Sequence, residues 1–205
     1  MARVLVVCTG NICRSPIAEA FLRHLLVERG IHGVSIESAG VSGWEEAAAV
    51  PEAIEALREL RIDLSQHQAR RLNRSQLEEA DLVLAMAAEH RDAAIRLSPS
   101  ASPRTFTLKE LVDLLRHADA GSGNGDASRR LEARIAEASR LRVSRAVHLS
   151  DEDVADPLGG GVESFRATAW EIEALCEQLF DLLFEPDPGA AHRERAERTA
   201  RGGDR

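Results

Sequence analysis

Short apolar runs alternate with longer amphipathic stretches along most of this chain. Residues 3–7, built on Val4-Leu5-Val6-Val7, are apolar at consecutive positions, the pattern of a strand buried on both faces. Pro16 then opens a helix over 16–29, with Ile17, Ala20, Phe21, His24, Leu25 and Val27 near one face. Val34-Ser35-Ile36-Glu37-Ser38 reads as a second strand. Pro51 starts a helix to about Leu60, with Ile54, Leu57 and Leu60 spaced for burial. Leu82-Val83-Leu84-Ala85-Met86 is a central strand, followed by a helix from about Ala88 to Leu97 and a short strand at Thr105-Phe106-Thr107. The last helix runs from Val162 to about Phe184, its apolar face marked by Phe165, Ile172, Leu175, Leu179 and Leu183. This alternation predicts a single α/β domain, a three-layer, doubly wound, parallel four-stranded sheet with helices on both faces. Such sheets bind ligands at the C-terminal ends of their strands.

Two regions fall outside the pattern. Residues 117–130 are polar and glycine-rich and read as a mobile surface loop, and a charged helical stretch from 130 to about 142 follows. Together they make 117–148 an insertion-like span. After Phe184 the sequence turns to Pro, Gly, Arg, Glu and Ala without apolar periodicity, so 185–205 is expected to be a disordered tail on a folded domain of residues 1–184.

Composition narrows the classes. At 205 residues with 44% hydrophobic content, the chain can bury a full core without staples. A formal charge of −8 argues against a general nucleic-acid binder. Seven histidines without ligand-like spacing give no metal site, and no cofactor is implied. Three cysteines are too few for a disulfide framework. With no signal peptide before the first strand and no stretch long enough to span a membrane, the expected address is the cytoplasm.

The chemistry is concentrated in Cys8-Thr9-Gly10-Asn11-Ile12-Cys13-Arg14-Ser15-Pro16. A buried strand feeds a tight loop that enters a helix. Cysteine heads the loop and arginine closes it, so peptide N–H groups, a helix N-terminus and a guanidinium surround one point where an anion can sit. A cysteine held in that field is placed to act as a thiolate nucleophile. The reading is a phosphate-binding loop, Thr9 to Ser15, that carries its own nucleophile.

Cys8 to Ser15, continued by Pro16-Ile17-Ala18-Glu19-Ala20, closely resembles the N-terminal loop of the low-molecular-weight protein tyrosine phosphatases. Ser38-Ala39-Gly40-Val41-Ser42-Gly43-Trp44, Ser65-Gln66-His67-Gln68-Ala69-Arg70 and Asp81-Leu82-Val83-Leu84-Ala85-Met86 are similar to later segments of that family. The resemblance implies a two-step, metal-free reaction through a phosphocysteine on a phosphorylated protein substrate, with an Asp-Pro pair as general acid and base; Asp156-Pro157 stands in that place. It gives Cys8 as nucleophile and Arg14 as the planar clamp on phosphate oxygens. Ser15 would donate to the Cys8 sulfur, and Asn11 would hold the loop, since Asn tolerates left-handed backbone. Trp44 would wall the substrate cleft, and His67 would brace the loop from behind. Cys13 could pair reversibly with Cys8 on oxidation, whereas Cys176 belongs to the core.

Two departures bear on the substrate. Leu158-Gly159-Gly160-Gly161 follows Pro157 where phosphotyrosine enzymes usually carry aromatics, and the chain has no tyrosine. That glycine-rich continuation is similar to the protein-arginine phosphatases of the same superfamily. Ile12 pulls the other way, because those enzymes typically have threonine there. Ala87 replaces an acidic residue expected after Met86. Phosphotyrosine is the preferred reading, with phosphoarginine as the alternative. An arsenate reductase would need further cysteines within 65–115, where there are none, and a non-catalytic phosphoprotein-binding module would not need both Cys8 and Asp156.

Overall fold

The computed structural model describes residues 1–42, 44–118, 125–145 and 151–184. Four parallel strands form one sheet in the order β2-β1-β3-β4: β1 Ala2–Cys8, β2 Val34–Gly40, β3 Leu82–Ala85 and β4 Thr105–Thr107. The register pairs Cys8 with Gly40 and Val7 with Ala85, so three strands end at one edge. Helices join them: α1 Arg14–Glu28, α2 Pro51–Glu59, α3 Arg74–Glu79, α4 Ala88–Leu97, α5 Leu108–Arg116, α6 Ala127–Arg145 and α7 Val162–Phe184, with a 3₁₀ turn at Pro99–Arg104. Val4, Val6 and Cys8 of β1 face the larger core, shared with α1, α5, α6 and α7. Leu5 and Val7 face a smaller one with Leu77 of α3, Ala94 of α4 and Ala101. The three-layer, doubly wound architecture is the one the apolar pattern predicts.

Several expectations need correction. The buried stripe of α1 is Ile17, Ala18, Phe21, Leu22, Leu25 and Leu26. His24 points to solvent and Val27 is 82% exposed, because the stripe turns away from both at helical spacing. In α2 the most deeply buried positions are Ala53, Ala56 and Leu57, while Ile54 and Leu60 pack only partly. Leu175 of α7 is likewise only partly buried. Two capping boxes open helices the apolar pattern does not announce: Asn73 with Gln76 at α3, and Thr107 with Glu110 at α5.

Of the span 117–148, the described helical part is not separate from the core. Helix α6 starts at Ala127 rather than 130. Ala127, Leu131, Ile135 and Ala138 lie on one face of α6 and join the main core. Arginines of the same helix reach the carbonyl ends of its neighbours: Arg130 donates to Phe184 O (2.8 Å) and Arg134 to Leu182 O (3.0 Å) and Leu115 O (3.4 Å). Cations there complement the negative helix end and satisfy carbonyls that have no partner within the helix. The expected tail, 185–205, lies outside the described residues.

Candidate active site

The loop after β1 is shaped by where its carbonyls go. Cys8 O accepts from Val41 N (2.9 Å), Thr9 O from Ser42 N (2.9 Å), Ile12 O from Val50 N (3.1 Å) and Cys13 O from Ile17 N (3.1 Å). Asn11 O accepts from His67 Nε2 at 2.7 Å, which assigns the proton of that imidazole to Nε2. With these carbonyls turned outward, the intervening peptide N–H groups face the concave side of the loop. Asn11 sits at φ 57°, the left-handed conformation that lets the chain reverse here. Gly40 must be glycine. A Cβ there would stand 2.8 Å from Gly10 C and Thr9 O and 2.9 Å from Asn11 N, all immovable backbone.

A buried network holds the cysteine. Asn11 Nδ2 donates to Ser15 Oγ (2.9 Å) and to Ser38 Oγ (2.7 Å), and Asn11 Oδ1 accepts from Arg70 N (2.8 Å). Ser38 in turn donates to Glu19 Oε2 at 2.6 Å. Because Ser15 Oγ already accepts from Asn11, its own proton is free to go to Cys8 Sγ, 3.0 Å away. The Asn11 amide N–H also points at that sulfur, at 3.3 Å. Two donors thus converge on Sγ and stabilise negative charge there.

Arg14 is buried at the N-terminus of α1, a poor place for a cation without an anionic partner. Asp156 is that partner: Arg14 NH2 lies 2.6 Å from Asp156 Oδ2, and NH1 donates to Val154 O at 3.1 Å. The other carboxylate oxygen accepts from Leu158 N at 3.1 Å. The loop that Cys8 heads and a carboxylate 148 positions further along the chain are therefore joined through one guanidinium, which also donates to Thr9 Oγ1 at 3.4 Å.

The chain is similar to known proteins in sequence and in fold. A family model described as low molecular weight phosphotyrosine protein phosphatase matches residues 3–122. A protein-arginine-phosphatase of Geobacillus stearothermophilus is 34% identical over 88% of this chain and 95% of its own length. The chain belongs to the low-molecular-weight phosphatase family. A low molecular weight protein-tyrosine-phosphatase of Streptomyces coelicolor is 32% identical, covering 92% of this chain and 98% of its own. Among solved structures, the YwlE arginine phosphatase, described as a mutant with a phosphorylated active-site serine, superposes with a TM-score of 0.68 at 31% identity. It covers 91% of this chain and 98% of its own.

Of the residues singled out in sequence, Cys8, Asn11, Arg14, Ser15, His67 and Asp156 come together in this cluster. Trp44 lies over the loop, its Cδ1 within 3.3 Å of where a Gly10 Cβ would stand, and is 57% exposed. Ile12 is buried. All three cysteines are free and buried. Burial, with the Cys8 and Asp156 charges behind it, pushes the Cys13 thiol up to about 12, so it stays protonated near neutral pH. Burial raises Cys176 too, as fits a core thiol.

Three participants carried no role in the sequence reading. Glu19 and Ser38 extend the Asn11 network. His90 places Nε2 2.8 Å from Thr9 Oγ1, which also accepts from Arg14 NH2 at 3.4 Å. Burial, and then the Arg14 charge, pushes the His90 imidazole down to about 4, so it is neutral. Its spacing from the loop gives no sequence signal. For Glu19 and Ser38 the signal was present, since both fall in the segments that carry the family resemblance. No helix among the described residues is long and apolar enough to cross a membrane.

Proposed function

We propose that the protein hydrolyses phosphotyrosine on protein substrates through a phosphocysteine on Cys8. The convergence of the Cys8 sulfur, the inward-turned peptides, buried Arg14 and Asp156 is the observation that carries this reading. Arg14 and the peptides of Thr9 to Ser15 bind the phosphate oxygens and hold phosphorus in line with Sγ. The bound phosphate takes the place of the Asp156 carboxylate on Arg14; the sulfur then attacks, the S–P bond forms and the P–O bond to the tyrosyl oxygen breaks, while Asp156, in its protonated form, gives its proton to that oxygen. Asp156, now a carboxylate, takes a proton from water as the water oxygen attacks phosphorus. The S–P bond breaks, and the Cys8 thiolate leaves against the Ser15 hydroxyl and the Asn11 amide. Metal and cofactor have no part in these steps. Trp44 on one side and Leu158 beside the acid supply apolar walls for the leaving group. Three buried free thiols fit the reducing conditions of a cytoplasmic address.

One observation favours a second reading, phosphoarginine. The chain aligns over 95% of the length of an arginine phosphatase, and its acid loop continues Leu158-Gly159-Gly160. Measuring kcat/KM on matched phosphotyrosine and phosphoarginine peptides, with Cys8→Ser as the blank, decides between them. Preference for phosphotyrosine is expected. Preference for phosphoarginine transfers the assignment to the glycine-rich acid loop, and turnover by Cys8→Ser removes Cys8 as nucleophile.

A further inference from the structure

The segment that brings Asp156 to the loop, residues 151–157, has no regular secondary structure. Side chains and a few backbone contacts must therefore fix it. Asp153 Oδ1 accepts from Ala88 N at 2.7 Å, at the start of α4, and Val154 N donates to Met86 O at 2.8 Å. Asp151 pairs with Lys109 at 3.1 Å, and Lys109 is held in turn by Glu171 at 2.8 Å. Glu152 joins the segment to a chain of charges that runs through α4 and α5 to α6. Its Oε2 is 2.5 Å from Arg91 NH1 on α4, and that same nitrogen is 3.6 Å from Glu110 Oε2 on α5. Glu110 Oε1 is 2.8 Å from Arg142 Nε on α6.

Charges alternate along this ladder, Arg142, Glu110, Arg91, Glu152, and the four side chains are only 15–26% exposed. Solvent therefore screens them less than it screens ordinary surface pairs, and removing one rung leaves its neighbours with uncompensated charge. The far end is anchored by packing and hydrogen bonds. Arg142 lies 3.8 Å over the centre of the Phe106 ring and donates to Thr105 O at 2.8 Å. Helix α6 itself is seated by Leu131, Ile135 and Ala138.

We propose that α6 is a buttress for the acid loop: Arg142, Glu110, Arg91 and Glu152 are positioning residues that set where the Asp156 carboxyl stands relative to the leaving group. This gives the insertion-like span a role in the reaction, and it rests on Asp156 being the general acid. General acid catalysis contributes about 10²–10⁴-fold and demands hydrogen-bond distance to the leaving atom, so a small shift of the loop is costly. Its cost also depends on the leaving group. Poor leaving groups need the proton, and activated ones do not.

The test is a leaving-group series of aryl phosphates read in kcat/KM, with inorganic phosphate inhibition as the measure of an intact loop. Asp156→Asn is the reference and should steepen the dependence on leaving-group pKa. Glu152→Gln and Arg142→Met should each lose about 5–10-fold on the poorest leaving group and under 2-fold on the most activated, with phosphate inhibition unchanged. Arg142→Lys should recover part of the loss. Combined with Asp156→Asn, neither ladder substitution should steepen the series further. If Asp156→Asn leaves the slope unchanged, the acid reading itself fails. If Asp156→Asn steepens the slope but Glu152→Gln and Arg142→Met lose activity equally across the series, the buttress is refuted while the acid stands. Glu152→Gln sits on the loop rather than in the core, so it decides the matter even where Arg142→Met fails to fold.

Discussion

Asn11 is where backbone conformation and side-chain chemistry can be separated by experiment. Its side chain makes three buried or half-buried hydrogen bonds, to Ser15, Ser38 and the Arg70 amide. At about 1 kcal/mol net for each, their loss costs about 3 kcal/mol in any variant lacking the carboxamide. The backbone adds a second term. At φ 57° an alanine pays about 1–2 kcal/mol. Glycine escapes that penalty but loses about 0.5–1 kcal/mol in extra chain freedom on folding. Asn11→Ala should therefore be destabilised by about 4–5 kcal/mol, and Asn11→Gly should be the more stable of the two by about 0.5–1 kcal/mol. A domain of ordinary stability, about 5–15 kcal/mol, survives either change. Urea unfolding of the three proteins at one pH measures both terms. Turnover should fall in both variants, because the peptide that aims Asn11 N–H at the sulfur is no longer anchored. An alanine variant as stable as glycine would sink the backbone term, and a loss below about 1 kcal/mol in both would sink the network.

Two further predictions concern the surroundings of the loop. His90 is neutral in the native state down to about pH 4, whereas an unfolded histidine takes up its proton near 6.5. The unfolded chain then binds more protons between those values, so stability is level above about pH 7 and falls as the pH drops. Over that window His90 accounts for about 3 kcal/mol at 1.36 kcal/mol per pH unit. Denaturation of wild type and His90→Asn at pH 7, 6 and 5 should give a shallower fall in the variant, and equal slopes would remove His90 as the source. Leu131 of α6 is fully buried, so Leu131→Ala should cost about 2–5 kcal/mol; a solvated decoration would lose under about 0.5 kcal/mol in the same unfolding assay.

The strands were legible because each is a run of apolar residues with both faces covered, and a burial pattern that simple survives folding. Helix faces were less so. In α1, apolar residues occur on more than one side, and the face expected from the sequence took in His24 and Val27 but left out Leu22 and Leu26. Helix α5 was overlooked although Thr107 and Glu110 stand at capping-box spacing, and so was α3 with Asn73 and Gln76, because short helices between loops have little periodicity to read. Within the site, Cys8 to Ser15 was legible because the cradle is one continuous stretch. His90 and the ladder were not. Their partners lie tens of residues away, and among 26 basic and 34 acidic residues nothing in the order of the chain distinguishes a half-buried rung from a solvated charge.

Burial also separates the chemistry from the choice of substrate. Cys8, Asn11, Arg14 and Ser15 are buried and are fixed by groups from β2, from 67–70 and from the segment ending at Asp156, so a change in one requires a matching change elsewhere. Trp44 and Leu158 are 57% and 56% exposed and lie beside the loop and the acid. Replacing an exposed side chain usually moves stability by no more than about 0.5 kcal/mol, yet here it reshapes the wall that meets the leaving group. Ile12 is the intermediate case, buried but without a polar atom for the network to satisfy. A fold divided this way can keep its phosphate chemistry constant while substrate preference drifts at a few positions. That relatives aligned over nearly their whole length are named for different phosphorylated residues is what such a division would produce.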